Sequence, residues 1–289
     1  MSIAIAVGAG LCSALAYGTA TAAQHAAAYT GEVDAGRLKD LLRNRRWLLG
    51  TAGDVLAIVL QLIALGNGPV VLVQPLLVLC LPVAVLLRSR FGAPPPSRRN
   101  LADCALLVLA VGAFFVLIGS PHRGRIIDTH AAAWISLAAL GLGGIAIAAV
   151  HRRPPIPRAA MFGAVAGCWF GLVSVLIEAV ASLWERLGLK AFGHPEGWVP
   201  LVALIVLAVA GYLLVQIGFQ LGPLAASFPP NLILDPVVAV VLGAVLLNER
   251  VPSGPPHLLG YLACLGVVGW AVLRLADPTS GPGHPAAVG

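Results

Sequence analysis

The sequence predicts an all-α polytopic membrane protein of about nine transmembrane helices, arranged as two inverted-topology repeats of five and four spans. Three observations carry this: charge is scarce, apolar runs of helical-span length recur from end to end, and the second half echoes the first. Of 289 residues, 59% are hydrophobic and 10% are charged, against roughly 25% charged in soluble domains. The mean hydropathy is +0.92. About 20 apolar residues in a helix cross the hydrocarbon core of a bilayer, and a helix satisfies its own backbone there. The lipid bilayer is therefore the expected surrounding, and the expected location is the plasma membrane, as a multi-pass protein. The 33 glycines and 22 prolines fit this class, since both are tolerated in membrane helices.

In chain order the spans are expected at 3–24, 47–66, 70–87, 101–119, 131–150, 159–183, 198–219, 224–247 and 257–274. The first is rich in alanine and glycine and lacks a basic leader, so it reads as a retained span and not as a signal peptide. The second carries Asp54 and Gln61, and the third carries Gln74 with Pro75 and Pro82. The fourth begins beside Asp103, and the fifth is apolar throughout its middle. Glu178 lies towards the end of the sixth and Gln216 towards the end of the seventh. The eighth contains "SFPPNLILDP" (227–236), and the ninth ends at Arg274. All five cysteines fall in spans with no C-x-x-C pair, which reads as small buried side chains.

The net charge of +6 is spread over the connectors and gives no basic patch for nucleic acid. With the N-terminus outside, 13 of the 18 Lys and Arg fall on the cytoplasmic side. The positive-inside rule thus predicts an external N-terminus and a cytoplasmic C-terminus. Residues 1–150 form the first repeat, 151–276 the second, and 277–289 a disordered cytoplasmic tail.

The repeat is read at an offset near 154. Gly68-Pro69, Pro75 and Pro82 of the third span recur as Gly222-Pro223, Pro229 and Pro236 of the eighth. Gly10, Ala14 and Gly18 of the first recur as Gly163, Gly167 and Gly171 of the sixth. Small residues at i, i+4 and i+8 let a neighbouring backbone approach closely. Five spans separate each element from its copy, and an odd number reverses direction. Inverted repeats of this kind build secondary transporters with a site near the midplane.

Carboxylates at depth are the candidate site residues. Asp235, Asn231 and Ser227 fall on one helical stripe, whereas their counterparts are Leu81, Leu77 and Val73. The repeat does without polarity there, so the stripe is an addition to the fold. An isolated buried carboxylate is protonated, neutralised by a cation, or alternates between the two. The competing reading of Asp235 is a kinked helix whose carboxylate caps its own backbone or pairs with a neighbouring Ser or Asn. Asp54 has Gln61 on its own face. Glu178 follows Gly167, Gly171 and Ser174 on one face, with snorkelling to the interface as the rival. Gln74 and Gln216 read as interhelical hydrogen bonders, and Tyr17, Trp169 and Phe170 as core. No Lys or Arg lies inside any span, which disfavours anionic substrates.

The stretches "ILDPVVAVVLGAVLLNERV" (233–251), with its Glu249-Arg250, and "LLGYLACLGVVGWAVL" (258–273) resemble the end of an EamA-like half in the drug/metabolite transporter superfamily. That resemblance implies inverted repeats around a central cavity and movement of small molecules. Trp47, Gly53-Asp54, Pro69 and Pro75-Leu76 are also similar to the second-span region of NIPA-type magnesium transporters, which implies a divalent-cation role for Asp54. The expected function is a secondary transporter or facilitator of a small solute or cation. The alternatives are a NIPA-like magnesium transporter or a non-transporting scaffold or accessory subunit. No Ser/His/Asp set, zinc-type cluster or nucleotide loop is present in the sequence, so neither an enzyme nor a cofactor is expected.

Overall fold

The computed structural model describes residues 2–29, 45–92, 95–119, 129–221, 224–247, 252 and 254–276. Among the described residues nine helices are long and apolar enough to cross a membrane, and no strand occurs. The chain is a multi-pass membrane protein. The helices are Ile3–Tyr29, Arg45–Asn67, a broken third span from Val70 to Phe91, Arg98–Ile118, Thr129–Ala149, Pro155–Leu187, Pro195–Leu221, Leu224–Leu246 and Pro255–Ala276. Gly222-Pro223, Glu249-Arg250 and the tail 277–289 lie outside the described residues.

Local chemistry sets several ends. Ser97 caps the fourth span, its side chain accepting from the Asn100 amide at 3.1 Å, which satisfies one orphan donor of the first turn. The sixth span starts on Pro155, whose fixed φ suits a first helical position. It stops at Gly188, whose φ of 55° closes the helix. These signals make it longer at both ends than the 159–183 expected.

The third and sixth spans are buried over most of their length, while in the other seven most positions are only partly buried or exposed. Exposed side chains such as Leu109, Val116, Leu142 and Val245 give the outside an apolar coat suited to lipid. One apolar cluster surrounds the sixth span and takes in Val70, Leu72 and Val73 from the start of the third. A second joins Val78, Leu81 and Val85 of the third span to the fourth and ninth. The third span therefore passes from one cluster to the other.

It breaks where it does so. Helix Val70–Leu77 ends and helix Cys80–Leu87 begins across residues 78 and 79. The Leu79 amide bonds the Leu76 carbonyl at 3.1 Å, and the Leu81 amide bonds Val78 at 3.2 Å. These three-residue spacings tighten the turn between two prolines that donate no amide hydrogen. The eighth span, with prolines at the same spacing, is not interrupted. It stays one α-helix from Leu224 to Leu246 with Pro229, Pro230 and Pro236 inside it. Its support comes from the sixth span. A methyl group on Gly167 or Gly171 would come within 2.6 Å of the Asn231 or Asp235 carbonyl oxygen, and at Gly163 the Ser227 carbonyl is closer still. Three successive turns of the eighth span thus rest directly on a glycine face.

The halves of the chain interlock. The fourth span packs mainly on the ninth, and the fifth on the sixth and seventh. Trp169 fixes the fifth span by donating from Nε1 to the Ala139 carbonyl at 3.0 Å, with its ring against Gly143.

Candidate substrate site

The eighth span is the only one of the nine that carries Ser, Asn and Asp on one stripe. It touches the third, sixth, seventh and ninth spans. Burial of a polar group in this medium is costly unless it is bonded, and most buried polar side chains here are bonded. Ser13 donates to the Ala57 carbonyl at 2.8 Å, Ser136 to Ala132 at 2.7 Å and Ser174 to Phe170 at 3.1 Å. The stripe is different. Ser227 Oγ, Asn231 Oδ1 and Asp235 Oδ1 are all buried without a hydrogen-bond partner among the described residues. Gln74 Oε1, on the third span, shares that condition. The other three such atoms belong to Arg88, Asn100 and Arg158 near span ends.

The orientation of Gln74 follows from its neighbours. The Ser174 hydroxyl gives its proton to Phe170, so its oxygen accepts from Gln74 Nε2. With the amide nitrogen committed, the free atom is the acceptor Oε1. Ser174 stands three residues beyond Gly171, whose neighbour is the Asp235 backbone. Gln74 and Asp235 are thus held by adjacent turns of the sixth span.

The second span supplies the other predicted side chains. Asp54 accepts from Gln24 Nε2 at 2.7 Å, and Gln61 accepts from the Tyr17 hydroxyl at 3.3 Å. Tyr17 lies within electrostatic reach of both Asp54 and Asp235, and so does Cys80. Glu178 has another task. Its Oε2 accepts from the Val70 amide at 2.9 Å, and Val70 is the first residue of the broken third span. A buried carboxylate on the exposed amides of a helix start satisfies orphan donors and complements the dipole.

Sequence reasoning missed Gln24 as the partner of Asp54, whereas its reading of Gln74 as an interhelical hydrogen bonder is met by Ser174. Asp103, beside which the fourth span begins, is 4% exposed and pairs with Arg274 Nε at 3.1 Å. The guanidinium also lies 4.2 Å over the Trp270 ring. The side chain of Gln216 lies outside the described residues. Trp169 and Phe170 pack on Gly143 and Gly211 as core.

Over 252 residues, 83% of this chain and 83% of the other, the sequence is 31% identical to the uncharacterized protein Cgl0250/cg0304 of Corynebacterium glutamicum. The chain belongs to that protein's family. No family model matches the sequence, and no solved structure matches it. The aligned length spans most of both chains, so the relationship covers the membrane-spanning body and not an isolated segment.

Proposed function

We propose that the protein is a secondary transporter or facilitator, moving a small solute or cation by alternating access through a cavity between two inverted halves. The observation that carries this is the eighth-span stripe: three unbonded polar atoms on a helix that touches both the third and sixth spans. An unbonded polar group in an apolar medium is retained where a ligand periodically bonds it. The inverted-repeat reading is supported by how the glycine faces are used. Gly18 of the first span meets the Cys80 carbonyl of the third, as Gly171 of the sixth meets that of Asp235 in the eighth.

In this reading the N-terminus is external, the C-terminus cytoplasmic, and the membrane is the plasma membrane. The architecture is that of the drug/metabolite transporter superfamily. Asp235, Asn231 and Ser227 bind, Asp54 and Gln61 line the opposite wall, and Glu178 holds the start of the third span. A NIPA-like magnesium pathway is the second reading, favoured by two carboxylates, Asp54 and Asp235, both within electrostatic reach of Tyr17, since Mg²⁺ is bound through one or two carboxylates with retained waters.

Reconstitution in liposomes tests the proposal. Uptake of amines, neutral metabolites or Mg²⁺ above empty liposomes, lost in Asp235→Asn, is the expected result. No uptake of any of them, with co-purification of a stoichiometric partner, favours the scaffold instead.

A further inference from the structure

The unbonded atoms have a chemical sense as well as a position. Asp235 Oδ1, Asn231 Oδ1 and Gln74 Oε1 are all acceptors, and Ser227 Oγ can accept. Gln74 is 1% exposed and Ser227 2%, while Asn231 and Asp235 are half-buried with their Oδ1 atoms covered. No Lys or Arg lies in the interior of any span. A ligand that completes this set must bring donors. A cationic donor would also neutralise Asp235, the only carboxylate on the stripe.

The acceptors are strung out and do not converge. Ser227, Asn231 and Asp235 stand four residues apart on a continuous helix, so the stripe runs roughly 12 Å along its axis. A metal ion needs its oxygens gathered within about 2.0–2.6 Å of one point. An extended stripe suits an elongated organic ligand with donors at both ends. Among the described residues no group of three or more His, Cys, Asp and Glu comes together.

We infer that the site binds an elongated organic monocation: a protonated amine whose ammonium lies between Asp235 and Gln74, with a second donor reaching Asn231 and Ser227. This rests on reading the eighth-span stripe as a substrate site. Gln74 is then a binding residue, aimed by Ser174.

The test is ligand-dependent thermal unfolding of the purified full chain in detergent, with four probes of one carbon skeleton: aminobutanol, butylammonium, butanol and butyrate, plus MgCl₂. Both amines are expected to raise the midpoint, aminobutanol at several-fold lower concentration, and butanol, butyrate and MgCl₂ to leave it unmoved. Asp235→Asn should abolish the response to both amines. Asn231→Leu should bring aminobutanol down to the level of butylammonium. Gln74→Leu should weaken both amines about tenfold, the size of one lost bond to a charged group. Ser174→Ala keeps Oε1 and removes only its aim, so a smaller loss is expected there; the absence of any loss in Gln74→Leu overturns its assignment. Stabilisation by butyrate or MgCl₂ equal to that by the amines overturns the monocation. Amine binding in this pattern without uptake of any solute in liposomes leaves the site standing and removes the transporter reading. Asp235-dependent uptake of a neutral solute with no amine binding does the reverse.

Discussion

The third and eighth spans share prolines at the same spacing, Pro75 with Pro82 and Pro229 with Pro236, yet one breaks and the other does not. The third is wrapped in side chains, with residues 70–78 all buried, and it changes from one apolar cluster to another at its break. The eighth is less enclosed, but its backbone lies directly on three glycines. Prolines at fixed spacing therefore do not determine an interruption. The third span has one such glycine contact, Gly18 of the first span against the Cys80 carbonyl just past the break, where the eighth has three. Side-chain burial leaves the third span nothing polar but Gln74, whereas backbone support leaves the eighth free to carry Asn231 and Asp235.

The strongest way to break this comparison is to add a side chain at the glycine contact. Gly167→Leu should displace the eighth span and prevent recovery of folded protein, read as loss of the monodisperse peak in detergent. Gly163→Ala should already lower stability by about 2–3 kcal/mol, as overpacking does. Its counterpart Gly10→Ala meets only the flexible end of Leu76 at 2.9 Å and should cost less than about 1 kcal/mol. Equal effects of the two alanines in thermal unfolding would falsify the distinction between backbone and side-chain support.

A second test separates polarity from fold. Asp235→Asn should reduce solute movement at least tenfold while leaving the unfolding midpoint unchanged or higher, since an uncompensated carboxylate in apolar surroundings destabilises. Glu178→Ala should show the opposite profile. It strips the Val70 amide of its acceptor and should cost about 1–3 kcal/mol, with activity per folded molecule little altered. The smallest effect is expected at the Asp103–Arg274 pair. Asp103→Asn should cost about 1 kcal/mol or less, and Arg274→Ala more, because only the latter leaves a buried carboxylate alone. If Arg274→Ala proves the milder change, Asp103 is held by something other than this pair.

Span positions were legible because length and apolarity suffice for them: 3–24 matches Ile3–Gln24, and 47–66 stops one residue short of Asn67. The glycine faces were legible as packing faces for the same reason, as residue size is written in the sequence. The break at 78 and 79 was not, since the two proline patterns are identical and the difference lies in what each helix rests on. Gln24 with Asp54 and Gln74 with Ser174 were also hidden, because their registers follow from helix crossings between distant segments. The stripe of Ser227, Asn231 and Asp235 was visible by its absence from the other half. Its unbonded state became visible only with the surrounding helices in place.

The interlocking of the spans also bears on how the protein is made. The fourth span leaves the ribosome well before its main neighbour, the ninth. It must wait in the bilayer with that face uncovered, held there by length and apolarity. Asp103 waits with the fourth until Arg274, almost the last helical residue synthesised, arrives. A chain that stops near residue 250 would be threaded through the membrane and still lack the helix that completes its first half.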